Sequence, residues 1–124
     1  MNENRPKHLA LSQIRLPLPA LVSILHRISG GLLFLALPLL LGALQHSLRS
    51  IETYTQLAGV LHHPISKLFM LIIGWAFLFH FCAGIRYLLI DLGYGVRLAQ
   101  ARASSKWVIF ASLALAVLTG VWLW

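Results

Sequence analysis

Acidic side chains are the scarcest chemistry in this sequence: Glu3, Glu52 and Asp91 are the only three in 124 residues, and charged residues of both signs make up only 10%. With 59% of residues hydrophobic, there is too little polar surface to cover a water-soluble globule. A single cysteine, Cys82, excludes an internal disulfide and says nothing of redox compartment. The shortage of carboxylates leaves no midspan acid for a small proton or cation transporter, although His80 and Asp91 could act as relay groups. Apolar and polar residues do not alternate along the hydrophobic runs, which excludes the strands of a membrane barrel.

What is present is three long apolar runs, at about 18–44, 68–90 and 107–124. Each is close to the ~20 residues that cross a hydrocarbon core, and backbone in lipid must satisfy its own hydrogen bonds, so helices are required. The expected fold class is all-α: an integral membrane protein with three transmembrane helices, forming a single membrane-anchor domain over 1–124 with a cytoplasmic segment at 1–17. Pro17 or Pro19 suits the start of the first helix, where a missing N–H costs nothing, and Leu9–Leu16 reads as a strap along the interface. Arg5, Lys7 and Arg15 precede the first span, and Arg97, Arg102 and Lys106 lie in the second loop, against Arg49 and Lys67 in the first. By the positive-inside rule the N-terminus is cytoplasmic and the C-terminus periplasmic.

The net charge of +7 does not indicate nucleic acid, because the basic residues sit between hydrophobic spans and not along one recognition face. The first run is too long for a signal-peptide core and lacks a small-residue cleavage site, so no processing is expected. Three short helices carrying polar groups would not satisfy themselves alone, so a partner within the membrane is expected. The loop histidines His46, His62 and His63 have only Glu52 as a nearby carboxylate and read as solvated, not as a metal site.

Two stretches place costly groups inside the spans. In the first, Arg27 and Gly30 each fall within about 40° of Ser23 on a helix, with His26 about 60° from Ser23 on the side away from Arg27. One face therefore offers a hydroxyl, a guanidinium and an imidazole beside glycines that permit close approach; the alternative is that Arg27 snorkels to the interface and His26 is a satisfied packing residue. In the second, His80 lies near the bilayer midplane, and Gly84, Tyr87 and Asp91 fall within about 40° of it, forming one stripe. The missing side chain of Gly84 leaves room beside His80 for a large planar group, while Arg86 points away from the stripe as an interfacial anchor or a group for a partner subunit. A midspan imidazole can ligate haem iron, relay protons or hydrogen-bond a neighbouring helix, and residue types alone leave the three open. The third span, Trp107 to Trp124, carries tryptophan at both ends and reads as structural.

Arg5-Pro6, then Ser23-Ile24-Leu25-His26-Arg27-Ile28-Ser29-Gly30, then His80 through Gly84-Ile85-Arg86 to Asp91, resemble the cytochrome b membrane-anchor subunit of bacterial succinate dehydrogenase. The likeness covers nearly the whole chain. It implies one of two anchors in a four-subunit succinate:quinone oxidoreductase of the bacterial inner membrane, with a flavoprotein subunit oxidising succinate and an iron–sulfur subunit passing electrons on. By that likeness His80 is an axial ligand of haem b, shared with the second anchor subunit. Ser23, Arg27 and Asp91 belong to the quinone site, ubiquinone being the expected substrate, and His26 and Arg27 meet a haem propionate. A fumarate reductase anchor and a purely structural membrane anchor are the alternatives. Where many relatives carry Arg-His this chain has Arg86-Tyr87, and a phenol can donate a hydrogen bond but does not become cationic near neutral pH.

Overall fold

A computed structural model describes residues 15–124; Arg5-Pro6 and all but the last two residues of the strap at Leu9–Leu16 lie outside the described residues. The chain forms four helices in the order α1 (Leu18–Ser47), α2 (Ile51–His62), α3 (Pro64–Asp91) and α4 (Leu98–Leu123), with no strand among the described residues. α1, α3 and α4 are each long and apolar enough to cross a membrane.

The helix ends follow from local chemistry. α1 starts behind Pro17 with Pro19 in its first turn, and it continues through Pro38 to Ser47. α2 lies in a stretch that the hydropathy pattern leaves as loop. Its Ser50 Oγ accepts from the Thr53 N–H at 3.2 Å while Thr53 Oγ1 accepts from the Ser50 N–H at 3.1 Å, a reciprocal capping box. None of its side chains is buried. α3 begins with Pro64 behind His63, whose ring accepts from the Ile65 N–H.

α3 ends in a Schellman turn: the Gly93 N–H donates to Ile90 O at 2.8 Å and the Tyr94 N–H to Leu89 O at 2.9 Å. That turn needs the left-handed φ of +87° that Gly93 supplies. α4 then starts at Leu98, well before the apolar run beginning at Trp107. The segment Leu98–Lys106 is rich in alanine and free of glycine and proline, so it propagates helix whether or not it lies in lipid. Hydropathy marks where the solvent changes, and the helix continues across that boundary.

α3 is the central element, packed against α1 on one side and α4 on the other. The pairings His26 with His80, Arg86 with Ser104 and Lys67 with Trp124 make successive long helices antiparallel. Where the helices meet, the buried residues are mostly small: Ala36 on α1, Ala76 and Ala83 on α3, and Ser105, Ser112 and Ala116 on α4, with Val22, Phe79 and Val108 filling the space between. Small residues let backbones approach, and close packing drives helix association where lipid removes the hydrophobic incentive. Ser105 and Ser112 satisfy their hydroxyls on carbonyls of their own helix, Ala101 O and Ile109 O. The large apolar side chains point outwards, Phe34 being 76% and Trp122 86% exposed.

Ala83 is fully buried beside Val22, Phe79 and Val108. Ala83→Leu is expected to destabilise the bundle by about 1–3 kcal/mol through overpacking, read as a lowered thermal midpoint in detergent. The outward-facing Phe81→Leu is expected to leave that midpoint unchanged.

Candidate functional site

The two polar stretches meet. The half-buried His80 ring on α3 faces α1 and stacks on the His26 ring, centroids 4.1 Å apart and planes 13° from parallel. Its Nδ1 lies 3.1 Å from the His26 carbonyl oxygen and 3.2 Å from Ser29 Oγ. Ser29 is buried and its hydroxyl donates to that same carbonyl at 2.8 Å. A carbonyl only accepts, so Nδ1 carries the proton, and the neutral ring then holds its lone pair at Nε2. Among the described residues that Nε2 makes no hydrogen bond and is not sealed from the surface.

The glycine beside His80 belongs to the other helix. A Cβ on Gly30 would sit 2.9 Å from His80 Cε1, so the imidazole lies where any side chain at 30 would be. A Cβ on Gly84, which the sequence reading pairs with a planar group, would meet His26 Nε2 at 3.8 Å, an ordinary van der Waals contact, so this glycine faces the neighbouring histidine. Tyr87 completes the group, its ring 5.2 Å from His26 at a tilt of 48°, with its hydroxyl buried and unpartnered. His26 therefore lies against His80, Gly84 and Tyr87, three members of the α3 stripe. The fourth, Asp91, is the exposed last residue of α3.

Ser23 and Arg27 are not drawn into this cluster. Ser23 is half-buried and Arg27 exposed, both on the flank of α1 about 60–100° from His26. No ion pair or hydrogen bond joins their side chains to Asp91 among the described residues. With Gly30 opposite His80 and His26 opposite Gly84, Tyr87 is level with Ser23 and Asp91 with Pro19. Asp91 thus lies about one turn, ~6 Å, beyond Ser23 and ~12 Å beyond Arg27. The three are spread over roughly two turns of depth.

Two residues take parts the sequence reading did not give them. Ser29 fixes the His26 carbonyl, and its signal is its place one turn after His26, which puts the hydroxyl within reach of that residue's own carbonyl. Arg86 points away from the stripe as expected, but into α4 and not to the interface. It is 6% exposed, with Nε donating to Ser104 Oγ at 2.9 Å and Nη2 to Ala101 O at 3.3 Å. The paired serines Ser104-Ser105 at the matching level of α4 were the available signal. Among the described residues no cluster of three or more histidine, cysteine or acidic side chains is placed to hold a metal ion. His62 Nδ1 instead pairs with the Ala58 carbonyl of its own helix.

A multi-pass helical membrane protein with a histidine pair stacked between two spans is the class that this fold and site define. The sequence comparisons narrow it: the family described as succinate dehydrogenase/fumarate reductase transmembrane subunit matches residues 1–119. Curated relatives include the succinate dehydrogenase cytochrome b556 subunit of Coxiella burnetii, 41% identical over the full length of both chains. Proteins of the same name from Paracoccus denitrificans, 35% identical over 94% of this chain and 89% of that one, and Rickettsia felis, 32% identical over 94% and 91%, also match. The chain belongs to the succinate dehydrogenase/fumarate reductase transmembrane subunit family.

Gly30→Ala is expected to displace His80 and cost about 1–3 kcal/mol by overpacking. Gly31→Ala, where a Cβ would meet nothing within 4 Å, is expected to be neutral or stabilising by up to ~1 kcal/mol through helix propensity. Thermal midpoints of the two variants, measured side by side, check the difference.

Proposed function

We propose that this chain is the haem b-binding membrane anchor of a bacterial succinate:quinone oxidoreductase, with His80 as an axial ligand and a quinone site at the α1 flank. The observation that carries the reading is the state of the His80 ring. Its Nδ1–H is committed to the His26 carbonyl at 3.1 Å, which fixes the tautomer, orients the ring and leaves the Nε2 lone pair available. Metal-ligating histidines are held in this way by an outer carbonyl or carboxylate, so the donor set fits haem ligation. The buried, unpartnered His26 Nε2 and Tyr87 hydroxyl beside it fit a group that brings acceptors, as haem propionates would.

When bound, haem b supplies one-electron storage between an iron–sulfur subunit and the quinone. The protein groups do the rest. Ser23 and Arg27 lie on the α1 flank with Arg27 exposed, where a partner or a polar ligand would stabilise the guanidinium. There they are suited to polarise a quinone carbonyl as charge develops on it, with Asp91 at the helix end serving proton uptake from the aqueous side. The polar groups that the spans carry without partners of their own call for the second anchor subunit, which would bring the other haem ligand. The iron–sulfur and flavoprotein subunits dock on the cytoplasmic side, the side of the N-terminus under the positive-inside rule. Ubiquinone is the expected acceptor and the bacterial inner membrane the expected location.

His80→Leu is expected to abolish the b-type reduced-minus-oxidised spectrum of the purified complex; an unchanged spectrum overturns the ligand assignment. Arg27→Leu is expected to lower succinate:quinone reductase activity on the order of 10²-fold, the effect of removing one preorganised donor. Succinate oxidation with a soluble dye acceptor should persist in the same preparation. Equal loss of both activities would point to assembly and not to the quinone site.

A further inference from the structure

Arg86 is the one buried cation among the described residues, and its surroundings do not neutralise it. Its two hydrogen bonds and its cation–π contact are all to uncharged groups: Ser104 Oγ, Ala101 O and, at 5.1 Å from Cζ, the face of the Tyr87 ring. Nη1 is buried with no hydrogen-bond partner, and no carboxylate reaches the guanidinium among the described residues. Guanidinium stays protonated, so a full positive charge is fixed inside the bundle. From it an unbroken series of rings leads to the ligand candidate: Tyr87 lies 5.2 Å from His26, and His26 4.1 Å from His80.

We propose that Arg86 sets the redox potential of the haem held by His80, acting as a positioning and electrostatic residue through Tyr87 and His26. The inference rests on the haem reading above. Arg86 and His80 are six residues apart on α3, a rise of ~9 Å, and the intervening medium is protein and lipid, where fixed charges are weakly screened. A fixed cation favours the oxidation state with one positive charge fewer, which is the reduced haem, so it raises the potential. The hydrogen bonds to α4 keep the charge in place, and the cation–π contact holds the Tyr87 ring between the guanidinium and the histidine stack. Phenol at 87 suits this arrangement, because a second cation beside Arg86 would add repulsion.

The test is potentiometric titration of the assembled complex, followed at the haem absorbance. Arg86→Gln removes the charge and keeps a hydrogen-bonding group; haem content is expected to persist and the midpoint to move to more negative potential. Arg86→Lys keeps the charge and is expected to remain close to wild type. Ser104→Asp puts a carboxylate against Nε with the arginine still present, and the same negative shift is expected, which keeps the test open if Arg86→Gln does not assemble. A midpoint unchanged in Arg86→Gln or in Ser104→Asp, with haem bound, overturns the proposal. Absence of b-type haem from the wild-type complex would instead overturn the reading on which it rests.

Discussion

The interaction on which the site depends is the hydrogen bond from His80 Nδ1 to the backbone carbonyl of His26. In lipid an unpaired imidazole N–H is expensive, and helical carbonyls are normally occupied by their own helix. The His26 carbonyl takes the Ser29 hydroxyl and the His80 ring as further partners, so its oxygen is shared among several donors. For the ring to come this close, position 30 can have no side chain, and the glycine there is the steric counterpart of the hydrogen bond. One short sequence, His26 to Gly30, thus provides the stacking ring, the acceptor, the hydroxyl that orients it and the open space.

The rest of the bundle holds α3 still against that motif. On its other face Arg86 ties α3 to the start of α4, and Ala83 with Phe79 lets Val22 and Val108 close in. Polar satisfaction at one end of the bundle and small-residue packing along it do different work. The first fixes rotation of α3 about its axis, since a turn of one residue would move both His80 and Arg86 off their partners. The second fixes how near the helices lie.

Much of the architecture was legible because lipid imposes a coarse, strong rule: three apolar runs gave three spanning helices, and helical spacing put His80, Gly84, Tyr87 and Asp91 on one face. Helix boundaries were less legible. α2 is announced by a Ser50/Thr53 capping box and not by hydropathy, and α4 runs past Trp107 because alanine-rich sequence forms helix in either solvent. At the site, spacing within one helix said which residues share a face but not which face meets which neighbour. That is why spacing does not show that Gly84 faces His26, or that Arg86, read as an interfacial anchor or a group for a partner subunit, is buried against α4. Such pairings depend on the relative rotation of two helices, which no single-helix period encodes.

The fixed tautomer of His80 has a consequence for traffic across the membrane. A hydrogen-bonded wire conducts protons only if each member can both take one up and hand one on, by alternately flipping and transferring. The His80 Nδ1–H ends on an amide oxygen, which accepts a hydrogen bond but is far too weak a base to carry the proton further, and the stacked His26 ring resists the flip. The imidazole is therefore a terminus for such a wire: a proton that reached this ring would have no onward partner in the His26 carbonyl.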